Sequence, residues 1–67
     1  MIDRATPKTI RLAIAEAAEG RPSMLEANTK MPLPEAAHLA TTIVRTTEFQ
    51  DVRCWTNGSW LHIAPAA

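Results

Sequence analysis

A small α+β domain, built as an antiparallel sheet in the order ββαββ with one amphipathic helix on one face, is the fold class this sequence predicts. Three observations point to it. Asn57-Gly58 sits between two alternating apolar segments, residues 35–47 repeat their apolar positions at helical spacing, and Ile10, Leu12 and Ile14 alternate with Arg11, Ala13 and Ala15. The chain of 67 residues is expected to form one domain spanning 1–67. A body of that size buries only about 60% of its unfolded surface, so every large apolar side chain counts. The composition is 46% hydrophobic and 21% charged, which is globular, although much of the apolar share is alanine.

Residues 8–16, KTIRLAIAE, carry two competing signals. Their alternation reads as a half-buried strand, followed by a turn at Glu19–Pro22 and a second strand in SMLEANT. Thr6-Pro7 as a start, Gly20-Arg21-Pro22 as a stop and the alanine-rich interior read instead as a helix, which would throw Leu12 off the face of Ile10, Ile14 and Ala17. The strand reading is favoured because a lone hairpin is marginal in water and a helix is better covered by three or more strands. Its alternative is two helices followed by a C-terminal hairpin. Met1–Thr6 and the Ala-Pro-Ala-Ala tail are expected to fray.

From Pro34, residues Ala36, Leu39, Ala40, Ile43 and Thr47 fall on one helical stripe and leave Glu35, His38, Thr42 and Arg45 outside. Pro34 suits the first turn, where an N–H is not needed, and Glu35 suits the positive end of the helix dipole. The helix is expected to stop near Thr47, with Glu48–Gln50 as a connection and Phe49 among the bulky apolar residues.

Asn-Gly supplies the two positive φ angles of a type I′ turn, so Asn57 and Gly58 are expected to form a two-residue hairpin loop. Trp55 would then face Trp60, Arg53 would face His62, and Cys54 would face Leu61. Because side chains alternate, Val52, Cys54, Leu61 and Ile63 form the core face while Arg53, Trp55, Trp60 and His62 share the other. The opposite orientation would expose four apolar groups and bury Arg53. Stacking of the two indoles across the strands would by itself contribute about 0.5–1.5 kcal/mol. In the ββαββ arrangement Arg11 would join the same face. Tryptophan and arginine together are the residue types in which interface binding energy concentrates, so Trp55, Trp60, Arg53, His62 and Arg11 are the candidate binding residues.

Other chemistry finds little support. Seven basic residues balance seven acidic ones, which removes the long-range attraction that nucleic-acid binding rests on. Nucleic acid is therefore disfavoured, although single-strand stacking on the tryptophans is the alternative binding mode. His38, His62 and Cys54 lack metal-ligand spacing, and Cys54 points to the opposite face of the hairpin from His62, so no metal or cofactor is expected. The carboxylates are set in no inferable cleft, Gly20 and Gly58 form no phosphate-binding loop, and no catalytic residue is assigned. The single cysteine leaves no intramolecular disulfide, and there is neither a cleavable leader nor a stretch of about 20 apolar residues. A cytoplasmic protein without a membrane span is the expectation.

Asn57-Gly58 followed by Trp60-Leu61 and an alternating strand end resembles the closing hairpin of some small phage-encoded proteins, including a few anti-CRISPR inhibitors. The likeness covers fewer than ten residues. It implies a compact inhibitor that occupies the surface of a larger bacterial machine, and it assigns no site residues. Taken together, the residues predict a non-enzymatic module that binds a protein partner, with a homodimer as the first partner to test.

Overall fold

The computed structural model describes residues 3–46 and 51–66. Six elements follow in order: β1 (Asp3–Arg4), α1 (Pro7–Ala18), β2 (Ser23–Glu26), α2 (Leu33–Thr46), β3 (Val52–Asn57) and β4 (Trp60–Pro65). The sheet runs β1-β2-β4-β3. β4 is antiparallel to both β2 and β3, while the two-residue β1 lies parallel to β2 at one edge. The α+β class holds, and the order of elements is the alternative one, with two helices preceding the hairpin.

The correction concerns residues 7–18, which form a helix and not the strand of the ββαββ reading. Local capping decides the matter. Thr6 and Thr9 make a reciprocal capping box: the Thr9 N–H donates to Thr6 Oγ1 at 3.1 Å, and the Thr6 N–H donates to Thr9 Oγ1 at 2.9 Å. Pro7 opens the first turn at no cost in donors. At the other end Gly20 takes φ 99°, its N–H donates to the Ala17 carbonyl at 3.0 Å, and the Arg21 N–H reaches the Glu16 carbonyl at 2.9 Å. Those two bonds are a Schellman stop, which needs a residue without a Cβ at the left-handed position. Ile10, Ala13, Ile14 and Ala17 are buried at helical spacing, and Leu12 is left 55% exposed.

The extra strands that the sheet needed come from elsewhere. Ser23–Glu26 lies within the segment expected as a second strand, and β1 comes from residues expected to fray. Ala5 is buried, and its N–H donates to the Glu26 carbonyl at 2.8 Å. Asn28 ties the two segments together, donating from Nδ2 to the Ala5 carbonyl at 3.0 Å and accepting at Oδ1 from the N–H groups of Lys30 and Met31. The C-terminal tail is also held, since Ala64 and Pro65 belong to β4 and the Ala66 N–H donates to the Asp51 carbonyl at 2.7 Å. Met1, Ile2 and Ala67 lie outside the described residues, as do Thr47, Phe49 and the expected connection Glu48–Gln50.

Both helices cover the same face of the sheet. Ile10 and Ile14 of α1 meet Leu25, Leu61 and Ile63, all 2% exposed or less, and Ala36 and Ala40 of α2 complete the cluster with Val52. α2 follows its expected stripe, with Glu35, His38, Thr42 and Arg45 exposed. Alanines at the contacts let the helices approach closely, which is how a chain poor in bulky residues still fills its interior. No side-chain nitrogen or oxygen among the described residues is buried without a partner. The consequence for function is simple: among the described residues, no layer lies over the second face of the sheet.

Candidate binding face of the sheet

The hairpin builds this face, and its register differs from expectation by two residues. Cα partners are Asn57 with Trp60, Trp55 with His62 and Arg53 with Ala64, so the loop is Gly58-Ser59. Gly58 has φ 64°, and among the described residues no non-glycine residue has a positive φ. One positive angle at the first loop position fits the type II′ family, in which glycine leads, whereas type I′ would demand a second positive angle from Asn57. Asn57 therefore remains in the strand.

A slide of one residue would have turned every side chain over; a slide of two turns none. Val52, Leu61 and Ile63 point into the core as expected, with Cys54 packed at its margin and its Sγ 3.6 Å from Thr41 Oγ1. Arg53, Trp55, Trp60 and His62 remain together on the open face. What changes is who touches whom. Trp55 and Trp60 are diagonal neighbours rather than a facing pair, and Trp55 stacks on His62 instead, with ring centroids 5.1 Å apart and planes 6° from parallel. The Arg53 guanidinium carbon lies 4.5 Å from the centre of the Trp55 ring. Arg53, Trp55 and His62 thus form one contiguous stack, in which a cation and a second ring both engage the indole π-system.

Arg11 does not belong to this face. The expected position beside the tryptophans required a first strand, and with residues 7–18 helical Arg11 stands exposed on α1, in the layer on the other side of the sheet. The register supplies neighbours that sequence reasoning missed. Met24 faces His62 and Glu26 faces Trp60 across β2–β4, and Arg4 faces Glu26 across β1–β2. Their signal was parity within SMLE, where buried Leu25 fixes Met24 and Glu26 as outward. Met24 is 49% exposed and Trp55 39%, two of the three large apolar side chains left exposed among the described residues. Adjacent to each other through His62, they make a connected apolar strip bordered by Arg4, Glu26 and Arg53.

Elsewhere, an open, largely apolar groove of about 410 Å³ lies between Pro7, Met31 and the α2 residues Glu35, His38, Leu39 and Thr42. Its wall carries two ionisable side chains, Glu35 and His38. His38 stands on α2 and His62 on the far side of the sheet, with Cys54 turned inward between them. Among the described residues no three histidine, cysteine or acidic side chains gather as a metal site would require, and no helix is long and apolar enough to cross a membrane. No protein family, curated protein or solved structure matches the chain.

Proposed function

We infer that this protein is a non-enzymatic binding module whose open sheet face docks against a protein partner. The observation that carries the reading is the Arg53–Trp55–His62 stack beside exposed Met24, on a sheet face that none of the described elements covers. Aromatic and arginine side chains that are held in place before binding lose little freedom on docking, which is the property of a hot spot. A sheet needs only one covered face to fold, so the tryptophans of the other face are not needed to close the core. The engaged π-surface of Trp55 favours a protein surface over a single strand of nucleic acid, because base stacking needs open ring faces.

The test is capture of binding partners from cells that express the gene, comparing the wild-type chain with Trp55→Ala and Met24→Ser variants shown to be folded by circular dichroism. Loss of the captured protein with both variants supports the docking face. Capture unchanged by either places the binding surface elsewhere.

A further inference from the structure

Resting on that reading, we propose that the partner of the open face is a second copy of this chain, packed face to face about a twofold axis that runs diagonally across the sheet through His62. Self-complementarity of the face supports this arrangement. A twofold interface must satisfy each contact twice, residue i with j of the second copy and j with i, so a surface suited to it carries opposite charges at positions that one axis exchanges.

The register places the residues of the face on a grid. Moving outward from β1, one row holds Arg4, Glu26, Trp60 and Asn57; the next holds Met24, His62 and Trp55; and a third holds Ala64 and Arg53. Glu26 and Arg53 are therefore opposite corners about His62, one strand and two residues away in opposite directions. An axis in the plane of the face, through His62 and perpendicular to the line joining those corners, puts each Glu26 on the Arg53 of the second copy. With strands about 4.8 Å apart and alternate residues about 6.8 Å apart along them, the same operation brings Trp60 within about 3 Å, in projection, of the position of Trp55 in the second copy, and Met24 equally near Ala64.

Asp51 continues the outward parity of Arg53 and Trp55, held by the bond from the Ala66 N–H, and the operation carries Arg4 toward it. A single axis thus matches acid with base twice over and apolar with apolar at the centre. The strands of the two sheets cross steeply, in the manner of orthogonal sheet packings. Glu26 and Arg53 carry no ion pair within their own chain among the described residues, so both remain available. By contrast, Arg21 and Glu19 already pair with each other in the helix layer.

Sedimentation velocity of the full chain over a hundredfold concentration range tests this. The wild type is expected to pass from monomer to dimer as concentration rises. Glu26→Arg and Arg53→Glu, each turning two attractive contacts per dimer into repulsive ones, should raise the dissociation constant about tenfold or more. Combining them restores opposite charges across the axis, so E26R/R53E should recover much of the association that either single variant loses. Thermal unfolding of each variant confirms that it is folded, and Glu26→Arg leaves the Arg53–Trp55 contact untouched.

A wild-type chain that stays monomeric throughout, single variants that dimerise unchanged, or a double variant no better than the singles would each overturn the proposal. Those results are distinguishable from failure of the docking face itself. A monomeric chain whose capture of another protein is lost with Trp55→Ala rejects the second copy and keeps the face, whereas capture indifferent to Trp55→Ala and Met24→Ser rejects the face.

Discussion

Removing the guanidinium that lies over Trp55 separates the two tasks this face could perform, holding the fold and holding a partner. In Arg53→Ala the folded state loses a cation–π contact at an exposed site, which contributes about 0.5–1 kcal/mol. Among the described residues no ion pair of Arg53 is lost with it, and the stem's cover of the indole adds only a few tenths of a kcal/mol, roughly the share of a partly packed methylene. The expected loss is therefore about 1 kcal/mol. For a chain of 67 residues each kcal/mol shifts the melting temperature by about 4–8 °C, so the variant should melt roughly that much lower while remaining folded at room temperature. Urea unfolding followed by tryptophan emission measures the loss directly, and Arg53→Lys, which keeps the charge without the planar group, should fall between the two. A loss above about 3 kcal/mol, a large part of what a domain this small can have, would make Arg53 a fold-holding residue and overturn this assignment. So would no change at all, which would mean that the guanidinium contributes nothing where it sits.

Three other perturbations test the framework that presents the face. Gly58→Ala meets no atom within 4 Å but inherits φ 64°, so denaturation should show a purely conformational loss of about 1–2 kcal/mol. Thr6→Ala removes the side-chain half of the capping box and should cost about 1 kcal/mol, with helical circular dichroism reporting a frayed α1. Ala40→Leu forces three further carbons into a site with no exposure between α2 and the sheet, and urea unfolding should show a loss of about 1–3 kcal/mol. A neutral result there would mean that α2 does not press on the sheet at its alanines.

How much of this was legible in the residues depends on the length scale of each signal. α2 was readable because five positions repeat at one spacing and none contradicts it. α1 was not, because Ile10, Leu12 and Ile14 satisfy a strand's alternation while Ile10, Ala13, Ile14 and Ala17 satisfy a helix's stripe. Alanine is invisible to a reading that counts bulky groups, and the capping box of Thr6 with Thr9 uses a threonine where the familiar pattern has glutamate. That one ambiguity is what misplaced Arg11. β1, two residues long and parallel to its neighbour, leaves no periodicity to find.

The hairpin shows which features survive an error. Asn57-Gly58 and Gly58-Ser59 are both acceptable two-residue loops, and choosing the former assigned the wrong partners to both tryptophans. Facing was nevertheless right, because the two loops differ by an even number in register. The candidate site was therefore legible as a surface and illegible as a set of contacts. Its acidic corner, Glu26, became visible only when β2 was placed beside β4.

Binding on the open face of the sheet is reported directly by the two indole N–H groups. They are the only tryptophan signals in the chain, both on that face, while His38 and Leu12 mark the helix layer. In proton–nitrogen spectra recorded across a hundredfold concentration range, both indole resonances and the amide of Met24 are predicted to shift along a common isotherm, with the amides of Leu12 and His38 unmoved. Indole signals that stay fixed while the helix-layer amides shift would contradict it.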